Sequence, residues 1–483
     1  VTNGLAQIKF GTDGWRAIIA RDFTFANVER VAQAYADYLL SQSSEANQRV
    51  VVGFDRRFLS EQFAQCAAEV MAGNGFDTMV FQDAQPTPVI SWAVKDLAAV
   101  GGIMITASHN PATFNGFKIK APWGGSASPQ TTTAVERLVD KTTPKRSAEM
   151  STTSDVLGTS ISRYQNQIRD YIDLDLIRKA DGHVVVDPMH GSGGTWVESF
   201  LQDGNLAVET IRSYRDPLFG GVNPEPIDQN LEALKTRVVE TKALVGLATD
   251  GDADRVGAVD ENGRTLTMHD VVPMLLLHLS RQRKMNGAVV VTVSQSVLTK
   301  RIAKAFGLKV HETPIGFKYI ADLMLKEDIL LGAEESGGIG VKGHIPERDG
   351  VLNSLLFLEA IVASGKPPSQ LLRDLHREFG EFYFGRKDLH MEVARGQDLV
   401  RRLSEQPPAT FDGEQVTSVV TMDGAKLIFG DESWLLFRQS GTEPMLRIYA
   451  EATSIAKMER LLEAGVDEAL GRYVVTSPET KLT

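Results

Sequence analysis

Three aspartates at alternate positions, in Thr249-Asp-Gly-Asp-Ala-Asp-Arg255, form the densest concentration of reactive groups in the chain. The carboxylates of Asp250, Asp252 and Asp254 repel one another and are costly to keep ionised without a cation. Hard oxygen ligands suit Mg²⁺, which keeps other coordination positions for water or phosphate. Arg255 follows at once and can bridge to a phosphate oxygen. The opening resembles a calcium-binding EF-hand loop, but no glycine stands at its sixth position, so that reading is set aside. The bland alternative is a solvated acidic turn.

Four other loops carry groups that bind anions or hydroxyls. Thr106-Ala-Ser-His-Asn-Pro111 places Ser108 just past a strand end, exposed and held by its loop, with His109, Asn110 and Lys118 able to bind an anion beside it. The plainer alternative is a turn in which Ser108 and Asn110 bond to the backbone. No G-x-S-x-G surrounds the serine, which disfavours a hydrolase nucleophile elbow. Ala333-Glu-Glu-Ser-Gly-Gly338 puts Glu334 and Ser336 on one side of an extended stretch, a pairing that grips vicinal sugar hydroxyls, or else forms an ordinary turn. Arg438-Gln-Ser-Gly-Thr-Glu-Pro444, with Arg447 nearby, combines cations, the Ser440 and Thr442 hydroxyls and a backbone opened by Gly441. Such a loop makes a phosphate cradle, with a simple hairpin turn as the alternative. Lys9-Phe-Gly-Thr-Asp-Gly-Trp-Arg16 is a further Gly-rich loop ending in a cation. Gly191-Ser-Gly-Gly194 reads as a tight strand-to-helix turn, and neither a dinucleotide fingerprint nor a Walker A sequence occurs.

The elements that position these loops repeat. A β-branched strand at 50–55 is followed by a helix at 61–72, a strand at 78–81, a helix at 88–96 and a strand at 102–106, which enters the Ser108 loop. The pattern recurs as strand 184–187, helix 195–202, strand 207–211, a long polar insert, helix 231–241 and strand 244–248, which enters the aspartate loop. It recurs again as strand 288–292, helix 296–306, strand 309–312, helix 317–325 and strand 329–332, which enters the Glu334 loop. Alternating strands and helices imply α/β layers with mixed, largely parallel sheets, and in such sheets ligands gather beyond the carboxyl ends of strands. After about residue 385 short strands alternate with turns and end in a helix at 455–470, the texture of a smaller α+β domain. The expected domains are 1–155 with the serine loop, 156–264 with the metal loop, 265–383 with the sugar loop and 384–483 with the phosphate loop.

A chain of 483 residues accommodates three or four such domains. A formal net charge of -11 argues against nucleic acid or an anionic membrane surface as the main partner. The single cysteine, Cys66, excludes an intrachain disulfide and reads as a small core residue. The stretch 271–279 is too short to span a bilayer, and the first residues show no signal-peptide pattern, so a cytoplasmic protein is expected.

Taken together, the Ser108, Asp250 and Arg438 motifs, in this order and over essentially the whole chain, resemble the α-D-phosphohexomutase family. The resemblance implies three α/β domains and a smaller fourth domain arranged around one cleft. It implies that Ser108 is phosphorylated in the active enzyme and that Asp250, Asp252 and Asp254 bind Mg²⁺ together with the Ser108 phosphate. Glu334 and Ser336 would contact sugar hydroxyls. Arg438, Ser440, Gly441 and Thr442 would hold the non-reacting phosphate. Arg16, His109, Lys118 and Arg255 would lie near the transferring phosphate, with Lys118 the candidate for proton transfer. The implied partner is a small hexose phosphate, the implied activator glucose 1,6-bisphosphate, and the assembly a monomer or homodimer.

Some positions depart from the family's pattern. Ala333 stands where glycine is usual, and Gly338 where phosphomannomutase and phosphoglucosamine mutase types often have histidine. Glu335 in Glu-Glu-Ser and Thr106 before Ala-Ser both point to a phosphoglucomutase, which interconverts glucose 1- and 6-phosphate. Mannose, glucosamine or pentose phosphates are the alternatives on the same scaffold. A metal-dependent phosphatase with an aspartyl nucleophile and a non-catalytic sugar-phosphate-binding regulator are rivals of other classes; the first leaves the Ser108 and Arg438 loops without a role, and the second leaves Ser108 and the aspartates without one.

Overall fold

A computed structural model describes residues 7–11, 14–42, 48–148, 154–440 and 444–472. Residues up to Val271 together with Gly316–Leu371 form one compact unit; Val272–Ile315 with the residues from Leu372 form a second.

In the first unit, β1 (Trp15–Ile18) and α1 (Phe25–Gln42) precede β2 (Arg49–Phe54), α2 (Ser60–Gly73), β3 (Asp77–Val80), α3 (Thr87–Asp96), β4 (Gly101–Ile105) and β5 (Phe114–Lys120). The sheet order is β1-β5-β4-β2-β3, with β2 parallel to β3 and β4, and β5 antiparallel to β4 and β1. Val50, Val51 and Val52 of β2 and Ile103, Met104 and Ile105 of β4 are fully buried between helices. Burial on both faces explains why these strands are continuous apolar runs rather than alternating ones; each such side chain stabilises the fold by roughly 1.5–3 kcal/mol. Cys66 on α2 lies in this core, and burial pushes its thiol up to about 12.

The helices α4 (Pro129–Leu138), α5 (Ser154–Tyr171) and α6 (Leu174–Lys179) lead into β6 (Gly182–Asp187), α7 (Trp196–Leu201), β7 (Leu206–Thr210), α8 (Glu232–Thr241), β8 (Val245–Thr249), β9 (Val256–Asp260) and β10 (Thr265–Leu266). This sheet runs β10-β9-β8-β6-β7 and repeats the first: β6 is parallel to β7 and β8, and β9 is antiparallel to β8 and β10. The third α/β segment contributes to both units. Its α9 (Met268–Leu277), β11 (Ala288–Thr292), α10 (Val297–Ala305) and β12 (Val310–Thr313) come first, with β11 parallel to β12. Then α11 (Phe317–Lys326), β13 (Ile329–Ala333), β14 (Ile339–Val341) and α12 (Gly350–Ser364) lie in the first unit, with β13 antiparallel to β14.

The sequence reading of three strands per copy omits β5, β9 and β14. The chemistry-bearing loops 106–113, 250–255 and 334–338 are therefore the connections of hairpins, each held at both ends by a sheet.

After α13 (Pro368–Phe379), β15 (Tyr383–His390), α14 (Val393–Glu405), β16 (Thr410–Phe411), β17 (Glu414–Val420), β18 (Ala425–Phe429), β19 (Trp434–Gln439), β20 (Met445–Ala452) and α15 (Ile455–Leu470) form the C-terminal domain. Its sheet is wholly antiparallel, in the order β15-β20-β19-β18-β17-β16. Within the second unit, Glu451 of β20 accepts hydrogen bonds from Ser296 Oγ (2.5 Å), Val297 N (2.9 Å) and Trp434 Nε1 (2.8 Å), which caps the start of α10. Lys426 donates to the Val293 carbonyl at 2.6 Å and lies over the Trp434 ring, and burial brings its ammonium down to about 7. Among the described residues no helix is long and apolar enough to cross a membrane.

Candidate active site

The loop between β4 and β5 holds Ser108 in the left-handed region, φ 52°. A non-glycine residue stays there only when its surroundings fix it, and here several bonds do. Thr106 Oγ1 accepts from the Ser108 amide at 2.9 Å and donates to Asp55 at 2.6 Å. The resulting geometry aims Ser108 Oγ at Asp250 Oδ2, 2.7 Å away, with His109 Nδ1 at 3.3 Å. The sequence reading makes Ser108 exposed; it is 2% exposed, because the aspartate loop closes over it. A Cβ on Gly251 would come within 2.5 Å of the Ser108 carbonyl oxygen, so only glycine permits this approach.

Asp250, Asp252 and Asp254 are all buried, with one carboxylate oxygen of each within 4.8 Å of the others. Burial, then the charges of Asp252 and Asp254, pushes the Asp250 carboxyl well above the usual range, against the pull of Arg255. For Asp252 burial acts in the same sense, but the Lys118 ammonium at 2.9 Å and the Thr87 hydroxyl at 2.7 Å overcome it and hold the carboxyl below the usual range. Lys118 also lies 3.3 Å from Asp254. The other oxygens, Asp252 Oδ1 and Asp254 Oδ1, are buried and accept no hydrogen bond. Orphaned carboxylate oxygens in a site that disfavours its own charge fit a divalent cation with hard oxygen ligands. Ser192 of the Gly191–Gly194 turn braces this loop by donating to the Gly251 carbonyl through its amide (3.0 Å) and its hydroxyl (3.1 Å).

His109 is held neutral: burial, then the charges of Arg255, Arg16 and Lys118, lower its basicity well below the usual value. Arg16 donates to Asn110 Oδ1 at 2.7 Å, and Arg255 lies 3.3 Å from Glu225. Ser108, His109, Arg16, Lys118 and the aspartate loop thus meet in the first unit.

The Glu334 loop joins them. It is a tight turn rather than the extended stretch expected from sequence: the Glu334 amide bonds the Gly338 carbonyl at 3.0 Å, and Gly337 turns back with φ 96°. The Val256 amide donates to the Gly337 carbonyl at 3.1 Å, and Arg255 and Gly338 form a β-bridge, so the sugar and metal loops share backbone bonds. Burial, partly offset by Arg348, pushes the Glu334 carboxyl up to about 7.

Sequence reasoning missed Arg348. Its guanidinium lies 2.9 Å from Asp254 and 4.0 Å from Glu334, linking the metal loop to the sugar loop. Lys120, two residues beyond Lys118 on β5, bonds Glu347 at 2.9 Å, and Glu347 in turn pairs with Arg348 at 3.3 Å. A signal was present. Arg348 stands just before Asp349, the N-cap of α12, where the helix dipole disfavours a cation. Arg57 and Thr87 were also missed, and neither has a distinguishing pattern.

In the second unit, Arg438 on β19 donates to Asp423 at 2.9 Å, Arg447 of β20 stands opposite Arg438 in the β19–β20 ladder, and the Ser440 amide donates to the Met445 carbonyl at 2.9 Å. Gly441 and Thr442 lie outside the described residues.

Four family models match the chain: phosphoglucomutase/phosphomannomutase alpha/beta/alpha domain I at residues 7–146, domain II at 162–263, domain III at 269–379 and the C-terminal domain at 393–468. A phosphoglucomutase/phosphomannomutase of Thermococcus kodakarensis is 32% identical over 465 residues, which are 95% of this chain and 99% of that protein. A phosphoglucosamine mutase of Halorhodospira halophila is 31% identical, covering 97% and 98%. The crystal structure of a protein from Thermus thermophilus superposes with a TM-score of 0.83 at 35% identity, covering 96% of this chain and 99% of that one.

Proposed function

This chain belongs to the α-D-phosphohexomutase family, and on that premise we propose that it interconverts glucose 1-phosphate and glucose 6-phosphate through phospho-Ser108 and a sugar 1,6-bisphosphate. The observation that carries the proposal is Ser108 Oγ at 2.7 Å from Asp250, on the edge of three buried carboxylates. In the forward step the bond from phosphorus to Ser108 Oγ breaks as a bond to the sugar's free hydroxyl oxygen forms. The hydroxyl proton passes to a base, for which the candidates are neutral His109 and Lys118, the latter once its ammonium has given up a proton. The bisphosphate then turns end over end, and its other phosphoryl group returns to Ser108. Free glucose 1,6-bisphosphate would act as activator by phosphorylating Ser108.

Asp250, Asp252, Asp254 and Ser108 would hold Mg²⁺, which when bound offsets charge on the transferring group. Arg16 and Arg255 would attract the phosphoryl oxygens. Glu334 and Ser336 would grip sugar hydroxyls, with Arg348 fixing the Glu334 carboxylate. Arg438, Ser440, Gly441, Thr442 and Arg447 would hold the phosphate that does not react.

The glucose preference rests on the sugar loop. A Cβ at Gly338 would meet Arg348 Cδ at 2.5 Å and Glu334 Oε2 at 3.1 Å, so Arg348 fills the space a histidine there would need. The named relatives keep phosphoglucosamine and mannose phosphates in contention. The test is a coupled assay with Mg²⁺ and a trace of glucose 1,6-bisphosphate, comparing kcat/KM for glucose, mannose and glucosamine 1-phosphates. The highest kcat/KM with glucose 1-phosphate is expected. Preference for another sugar would overturn the glucose assignment, and stoichiometric release of inorganic phosphate would overturn the mutase chemistry.

A further inference from the structure

The long polar insert between β7 and α8, whose Glu225 pairs with Arg255, also delivers a buried aromatic ring to the back of the Ser108 loop. Arg57 stands in the turn after β2 and is fully buried. Its Nη2 donates to the Ser108 and Asn110 carbonyls, both at 2.6 Å; its Nη1 donates to the Pro111 and Phe114 carbonyls at 2.8 and 3.0 Å. Its Nε faces Asp55 at 3.2 Å, and Asp55 also accepts from Thr106 and Ser60. One planar group therefore gathers three carbonyls of the loop and the first carbonyl of β5, an arrangement the point charge of lysine cannot reproduce.

The exposed edges of this arrangement are closed by the insert. The Phe219 ring lies 4.9 Å from the Arg57 guanidinium and is itself fully buried. The turn that carries it is strained, with Phe219, Gly220 and Gly221 all left-handed at φ 53°, 66° and 81°. Asp216 holds that turn by accepting from the Leu218 amide (2.9 Å) and the Gly220 amide (3.0 Å). Arg215 ties the same insert to the Arg56 and Arg57 carbonyls at 3.1 and 3.2 Å.

We propose that Arg57 is a positioning residue for Ser108, and that Phe219, supplied by the second α/β segment, keeps its guanidinium in the plane that gathers the loop. Neither side chain touches the reacting atoms. Together they hold the Ser108 backbone in its left-handed conformation, from which Oγ reaches Asp250. Displacing a nucleophile by about 1 Å costs on the order of a hundredfold in rate. This inference rests on the mutase reading for its kinetic consequence, but its structural content stands apart from it.

The test uses the full chain with Arg57→Lys and Phe219→Leu, each checked for folding by circular dichroism and thermal melting. Arg57→Lys is expected to lower kcat about a hundredfold while KM for the sugar phosphate stays within about twofold. Phe219→Leu should lower kcat about three- to tenfold. Amide hydrogen exchange across residues 106–114 should accelerate in both. If Arg57→Lys fails to fold, Phe219→Leu decides by the same readouts. An unchanged kcat in a folded variant of an active enzyme overturns the proposal, as does unchanged loop exchange. If the wild-type protein turns over no hexose phosphate, the mutase reading fails, and loop exchange alone then decides whether Arg57 positions the loop.

Discussion

The Ser108 loop and the Arg438 loop are both anion-binding candidates, yet they hang on different sheets: Ser108 follows β4 of a mixed sheet, whereas Arg438 lies near the end of β19 in a wholly antiparallel one. Around Ser108 three groups are each fixed twice: Thr106 by Asp55 and the Ser108 amide, Asp252 by Lys118 and Thr87, and Arg348 by Asp254 and Glu347. At the other loop, Arg438 is held by Asp423, and Arg447 stands 4.0 Å from Asp388. On the proposed reading the two loops do different work: bond breaking at Ser108 needs one geometry, whereas the Arg438 loop must supply charge to whichever end of the turned sugar it receives.

The largest effect should come from the Ser108 side. Ser108→Ala should cut mutase turnover to below about a thousandth of wild type, with folding intact by circular dichroism; near-normal turnover would remove the contrast altogether. Asp252→Asn should raise the Mg²⁺ concentration for half-maximal rate by about tenfold or more, and an unchanged metal titration would count against the aspartate loop. Arg438→Ala should act on binding instead, raising KM about tenfold, as expected for losing a hydrogen bond to a charged group. A fall in kcat with unchanged KM would show that the Arg438 loop also takes part in the chemical step.

The smallest effect concerns pH. Burial raises the Glu334 carboxyl from 4.5 to about 7 in the folded protein. Protonated Glu334 is thus favoured by folding, and the associated stability, present in full at low pH, is lost as pH rises from the unfolded value through about 7. Glu334→Gln should therefore lose less thermal stability than wild type between pH 5 and pH 8. Parallel melting curves across that range would refute the assignment.

What was legible in the sequence was what short segments decide locally. The helix at 455–470 is bounded by Ser454 as N-cap and Gly471 in the left-handed region, and both ends fall where the sequence puts them. Buried strands such as β2 and β8 announce themselves as apolar runs, and so the loops beyond them could be found. β5 could not, because Asn115 and Gly116 interrupt its apolar pattern for reasons that are tertiary: Asn115 bonds Ser60, and a Cβ at Gly116 would strike the Thr106 carbonyl at 2.4 Å. Arg57 was hidden for the same kind of reason, since its partners are carbonyls more than fifty positions away. The sequence names the reactive groups; the groups that orient them emerge only when distant turns meet.

The two five-stranded sheets share one strand order, but they complete it from opposite directions. The outer strand beside β5 is β1, which precedes the repeat in the chain, while the outer strand beside β9 is β10, which follows it. A repeating unit that accepts its last strand from either flank has no obligatory starting point. In both copies the hairpin that bears the reactive loop is the same, whichever flank supplies the strand beside it. The reactive loop thus depends on its own hairpin, and the outer strand only has to cover that hairpin's free edge.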